Sequence, residues 1–129
     1  MTDEIKKYLG VDWGRARIGL ALGDNETKMA SPYKVVANID NVLEVIKSEE
    51  INEVIIGEPL KMQDSKLKVD NDFINFLGLL KKKVDMPIKL VDERLTSKGA
   101  DALSGTKKTK ALKDAIAAML ILQTYLDKE

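Results

Sequence analysis

Residues 8–23 read YLGVDWGRARIGLALG, and the fold turns on how that stretch divides. Residues 9–12 are short and apolar and end on a carboxylate, Asp12. Residues 18–22 are apolar, with Gly19 and Ala21 between larger side chains. Between them, residues 13–17 hold Gly14, Arg15 and Arg17, which suits a turn rather than sheet interior. The pattern predicts two strands joined by a polar turn, the first of them central in a sheet. Asp12 then stands at the C-terminal end of a central strand, beside a loop carrying Arg15 and Arg17. A carboxylate on a rigid strand end next to basic side chains suits a hard divalent cation whose substrate carries phosphate. The simpler role for Asp12 is to cap the turn by bonding its own backbone. The residues leave both readings open.

Working outward, a polar loop covers 24–31 and Pro32 follows. Residues 33–37, YKVVA, form a β-rich run predicted to be an edge strand. Asp40 or Asn41 is placed to cap a helix running to about Glu50. Val42, Leu43 and Ile46 fall there at helical spacing, and Val45 widens the face. Residues 54–56 read as a buried strand ending at Gly57-Glu58-Pro59. Residues 61–70 carry mixed charge without periodicity, which predicts a mobile loop. Phe73, Phe76, Leu77, Leu80 and Val84 mark a second helix, opening near Asn71 or Asp72 and stopped by Pro87. Residues 88–91 are the last strand, ending at Asp92-Glu93-Arg94. Thr96 or Ser97 starts a short helix with Ala100 and Leu103, ended by Gly105, and 106–110 form a basic loop. The closing helix covers 112–126, with Leu112, Ala115, Ile116, Met119, Leu120 and Leu126 on one face. The expectation is a single α/β domain over 1–129: a five-stranded mixed sheet with helices on both faces. An antiparallel three-strand meander leads it and two parallel strands follow.

Composition narrows the chemistry. The chain has 129 residues, enough for a proper core, and contains neither Cys nor His. That removes disulfides, thiolate chemistry, the commonest general base and the commonest zinc ligand. Any metal must be held by oxygen, which favours magnesium or manganese. Twenty-one basic and 21 acidic residues give a formal net charge of +0, so nucleic acid would have to be met by a local patch. The N-terminus lacks the apolar core of a signal peptide, and no run is long enough to span a membrane. The expectation is a cytoplasmic protein without membrane partners.

In such a sheet, ligands gather at the carboxyl ends of parallel strands. Asp12, Glu58, Asp92 and Glu93 lie at such ends. Asp114 opens the last helix and reaches the same cleft if that helix packs near the first strand. Crowded carboxylates repel unless a cation neutralises them. Two ions about 3.5–4 Å apart can activate water and stabilise the leaving oxygen of a phosphodiester. Each acid also has a plainer role. Asp114 near a helix start gains from the dipole, Glu93 can form a surface ion pair with Arg94, and Glu58 can be a solvated loop residue. Lys107, Lys108, Lys110 and Lys113 are either a solvated basic loop or contacts to phosphates beside the cleft. Trp13 either stacks on a base or packs under the turn.

Four blocks then take on a common likeness. Asp12-Trp13-Gly14-Arg15-Ala16-Arg17-Ile18-Gly19-Leu20-Ala21 resembles the opening motif of the YqgF/RuvX family of Holliday junction resolvase-like proteins. Val54-Ile55-Ile56-Gly57 with Pro59 resembles its glycine–proline strand end. Asp92-Glu93-Arg94-Leu95-Thr96-Ser97 resembles its acidic strand end. Asp114-Ala115-Ile116-Ala117-Ala118 through Ile121-Leu122-Gln123-Thr124-Tyr125-Leu126 resembles its last helix. The likeness spans nearly the whole chain, in order. It implies a ribonuclease H-like fold and metal-dependent nuclease chemistry, with a link to maturation of the 5′ end of pre-16S ribosomal RNA. The family's acids carry over to Asp12, Glu93 and Asp114. Glu58 stands where relatives usually have an apolar residue, which makes it a fourth acid or a neutral change.

The functional expectation is a nuclease that binds one or two magnesium or manganese ions through Asp12, Glu93 and Asp114, with Glu58 and Asp92 as further candidates. Arg15, Arg17, Arg94, Lys107, Lys108, Lys110 and Lys113 would meet the phosphates of RNA or branched DNA, and ribosomal precursor particles are candidate partners. A monomer or weak homodimer is expected. The alternative is a nucleic-acid- or ribosome-binding factor of the same fold without catalysis. A phosphate loop of an actin-like or sugar-kinase ATPase is a third reading, and the chain is too short for the second domain those enzymes close.

Overall fold

Alternation along the first strand separates the two sides of the sheet. In the computed structural model, which describes residues 4–63, 66–93 and 107–128, this strand is β1, Lys7–Asp12. It is followed by β2 (Ile18–Asp24), β3 (Ala30–Val36), α1 (Ile39–Ser48), β4 (Glu53–Glu58), β5 (Leu60–Gln63), β6 (Lys66–Val69), α2 (Asn71–Lys83), β7 (Ile88–Asp92) and α3 (Lys107–Asp127). Leu9 and Val11 of β1 enter a core with Ile18, Leu20, Val54 and Ile56, covered by Val42 and Val45 of α1 and Phe73, Phe76 and Leu80 of α2. Tyr8 faces the other way, into a core with Ala21, Ile55 and Val91 covered by Ala118, Ile121, Leu122 and Leu126 of α3. Fully burying one such large side chain contributes about 1.5–3 kcal/mol, so the two cores hold the layers together.

The five-stranded sheet has the order β3-β2-β1-β4-β7. β1–β2 and β2–β3 pair antiparallel, whereas β1–β4 and β4–β7 pair parallel. The meander, the two parallel strands and the helices on both faces are those predicted. β3 is an edge strand and starts earlier than expected, at Ala30. It tolerates Pro32 there, beside a register shift opposite Leu20 and Ala21.

Four local readings change. The cap of α1 is Asn38, whose side chain accepts from the Asn41 amide at 3.0 Å, so the helix begins before Asp40. The cap of α2 is Asp70, accepting from the Asp72 amide at 2.8 Å, and the helix ends at Lys83, ahead of Pro87. Residues 61–70 are not a loop: β5 and β6 pair antiparallel from Leu60↔Val69 to Gln63↔Lys66. Their register alternates Leu60↔Val69 and Met62↔Leu67 with Lys61↔Lys68 and Gln63↔Lys66, a period of two masked by the charge. The basic loop 106–110 is also corrected, because α3 begins at Lys107. Lys and Ala are good helix formers, and no Gly or Pro follows Gly105 to stop them. The short helix assigned to 96–105 and Arg94 lie outside the described residues.

Candidate active site

The site is built on bare backbone. Gly10 of β1, Gly19 of β2 and Gly57 of β4 form a seat for α3. A Cβ at Gly10 would stand 2.7 Å from the Ala118 carbonyl oxygen, and one at Gly19 would stand 2.0 Å from that of Asp114. A Cβ at Gly57 would stand 2.4 Å from Cδ1 of Ile121. No residue but glycine permits so close an approach of helix to sheet. The buried face of α3 is therefore Ala115, Ala118, Ile121, Leu122 and Leu126. Ile116, Met119 and Leu120, predicted to share the inner face, are only half-buried. The helix turns Ala115 and Ala118 to the sheet ahead of Ile121, Leu122 and Leu126, and the contact through the two alanines is one that a search for large apolar side chains does not find.

Polar contacts lock that seating. Oε1 of Gln123 accepts from the Ala30 amide at 2.9 Å, and its Nε2 donates to the Lys28 carbonyl at 2.9 Å. The Tyr125 hydroxyl donates to Oε2 of Glu53 at 3.2 Å, and its ring meets Tyr8 edge-on at 5.9 Å between centroids. Asp114 then lies about two turns inside α3, whose first turn holds no acid. The dipole therefore does not account for its position, since that effect fades beyond the first turn.

Asp12 lies on the α3 side of the sheet, alternating with Val11. The register Val11↔Ile56 and Gly57↔Val91 sets the ends of β1, β4 and β7 level. Glu93 follows β7 on the side of Val91, and its Cγ is 3.6 Å from where a Gly57 Cβ would be. The missing side chain at Gly57 leaves the space through which Asp12 and Glu93 meet across β4. The Asp12 carboxyl is pushed up to about 9. Burial is the largest cause, followed by the hydrogen bond to Glu93 and the negative charges of Glu93 and Asp114. Burial and the neighbouring acids therefore favour the protonated form of Asp12. On the far side, Nε of Arg17 donates to Oδ2 of Asp114 at 2.5 Å.

Other predicted residues fall elsewhere. Glu58 and Asp92 pair in register, one position beyond Gly57 and Val91. Alternation turns both to the face opposite α3, away from Asp12, which separates them from the proposed cluster. Arg15 is bonded to Asp70 at 2.8 Å and paired with Asp72 at 3.3 Å, and these acids hold it charged beyond its ordinary range. Trp13 packs under the turn, edge-on to Phe73 at 5.8 Å and tilted on Phe76 at 6.3 Å. Lys113 is half-buried beside Asp114. Lys107, Lys108 and Lys110 lie in the first turn of α3. Sequence reading missed the roles of Gly10, Gly19 and Gly57; the available signal was a glycine inside each of three otherwise apolar strands.

Among the described residues, no three acids form a finished ion cage. Asp12 and Glu93 hold one another through a proton, and Asp114 holds Arg17. The donor set nevertheless fits a hard divalent ion. It is all carboxylate in a chain without His or Cys, and a cation would relieve the like-charge crowding that raises Asp12.

The family model described as "RuvX: Holliday junction resolvase" matches residues 6–128. The chain belongs to the RuvX family. A RuvX relative from Maridesulfovibrio salexigens, named "Putative pre-16S rRNA nuclease", is 37% identical over 132 residues, covering 93% of this chain and 97% of the relative. One of the same name from Natranaerobius thermophilus is 34% identical, covering 95% of each chain. Among solved structures, Thermus thermophilus RuvC superposes with a TM-score of 0.57 at 16% identity, covering 95% of both chains. The fowlpox virus resolvase, solved with Holliday junction DNA, reaches 0.58 at 12% identity, covering 95% of this chain and 97% of its own. These likenesses show the fold, which is ribonuclease H-like.

Proposed function

We propose that this RuvX-family protein is a divalent-metal-dependent nuclease that hydrolyses phosphodiesters in structured nucleic acid. The observation that carries the reading is the contact of Asp12 with Glu93, crowded further by the charge of Asp114. Burying a carboxyl group against two others costs stability, and a site that must bind a cation gives that cost a purpose.

In this reading Asp12, Glu93 and Asp114 hold one or two magnesium or manganese ions. Such an ion, when bound, supplies Lewis acidity, lowering the pKa of water and stabilising charge on a phosphate. Asp12 would serve such an ion as a carboxylate, and a nearby cation would favour that charged form. The glycine seat keeps Asp114 at a set height over β2. Arg17, Lys113 and the lysines of the first α3 turn, Lys107, Lys108 and Lys110, position the strand through its phosphates, and Arg94 is a further candidate for such a contact. Arg15 adds positive charge to the β1–β2 turn while remaining tied to Asp70 and Asp72.

The names of the relatives favour a ribosomal RNA precursor as substrate, which goes with a cytoplasmic location. The resolvase neighbour favours a branched DNA. A cleavage panel with manganese decides between them: junction DNA, single-stranded RNA and an rRNA precursor, each against Asp12→Asn. Cleavage by the parent and none by the variant is expected. Equal cleavage by both would refute the role of Asp12. The net charge of +0 favours a second reading, a binding factor of the same fold without turnover. That reading gains if the panel shows binding and no cleavage.

A further inference from the structure

We infer that Arg17 is a positioning residue that occupies the Asp114 carboxylate and competes with a divalent cation for it. The inference rests on the reading of Asp12, Glu93 and Asp114 as ion ligands. Arg17 closes the β1–β2 turn and bonds Asp114 across 97 positions of sequence. The pair is built into the fold rather than met by chance. Gly19, two residues further along β2, lies against the backbone carbonyl of Asp114, so one short segment grips this helical residue at both its backbone and its carboxylate. The contact is made through Nε to one oxygen, Oδ2. Among the described residues the terminal N–H groups of the guanidinium make no hydrogen bond, so they can meet a phosphate oxygen arriving at the cleft.

Two consequences follow. A cation that takes Oδ2 must first displace a positive charge at hydrogen-bond distance, which weakens ion binding to the free protein. A phosphate that draws the guanidinium away frees the carboxylate, so ion and substrate strengthen one another reciprocally. Arg17 thus keeps the third ligand in place and neutralised until substrate arrives. Its side chain is 49% exposed and that of Asp114 24%, so the exchange needs no opening of the core.

The test is manganese titration by calorimetry, without nucleic acid. R17Q is expected to bind manganese roughly three- to fivefold more tightly than the parent, the size set by a half-exposed ion pair. In a D114N background the same change is expected to add nothing, which isolates the pair. A second measurement uses the unaltered protein. The Arg17 Nε–H resonance is expected to shift, and to exchange faster with water, as magnesium is added. Unchanged or weaker manganese binding by R17Q, equal tightening with D114N, or an unmoved Nε–H resonance at magnesium saturation would overturn the inference. Absence of manganese heat with the parent would instead refute the ion site itself, and this inference with it.

Discussion

Asp12 and Glu93 bond to one another from strands that never pair. β1 and β7 are separated by β4, and the two carboxyl groups reach across it where Gly57 has no side chain. The bond is a proton held by the fold, and it has a pH signature. Folded Asp12 sits at about 9 against an ordinary 3.8, so between those values the folded protein binds a proton the unfolded chain lacks. Stability in metal-free buffer is therefore expected to be highest at the acid end of that window and to fall as pH rises through it. Asp12→Asn keeps a donor and loses the titration. Its melting temperature at pH 8 is expected to exceed the parent's by roughly 5 °C, with a flatter pH profile. Thermal melts in EDTA across pH 5–9 check this; parallel profiles would contradict it.

Manganese is expected to reverse the same effect. Ion binding should release protons from the Asp12–Glu93 pair, giving a calorimetric heat that depends on the ionisation enthalpy of the buffer at pH 7. Heat independent of buffer would place the ion elsewhere.

Gly19→Ala tests the seating of α3. The new methyl would stand 2.0 Å from the Asp114 carbonyl oxygen, so the helix must lift. A loss of about 1–3 kcal/mol of stability is expected, together with a larger loss of manganese affinity. Urea denaturation and manganese titration measure the two effects separately, and normal affinity in a folded variant would show that the close approach is not needed.

The face of the sheet separates the acids. Glu58→Gln and Asp92→Asn are expected to leave cleavage within about twofold of the parent, while Glu93→Gln lowers it by more than about 100-fold. A comparable loss with Glu58→Gln would show that alternation misassigns the cluster.

Gly78 serves as a control for the seat glycines. It is exposed in α2, and nothing lies within 4 Å of the position its Cβ would take. Gly78→Ala is expected to stabilise the protein by about 0.5–1 kcal/mol with cleavage unchanged, as urea denaturation would show.

Much of this architecture is legible in the chain. Period-two alternation in residues 8–23 and the apolar positions of 73–84 place strands and helices, because burial on a pleated strand or a helix imposes those periods. They also set Asp12 at the end of a central strand and Glu93 at the end of the last one. Three things are not local properties. The pairing Leu60↔Val69 to Gln63↔Lys66 joins short, charged segments whose period shows only once they are aligned. The inner face of α3 depends on its partner, since a helix apolar on many sides settles where the sheet lets it come closest. The choice among acids depends on register: Glu58 and Glu93 look alike in sequence, and one step along a strand turns one away from Asp12 and the other toward it. Spacing along the chain encodes secondary structure, whereas distances between carboxylates arise from strand register and from the depth at which three glycines let a helix sit.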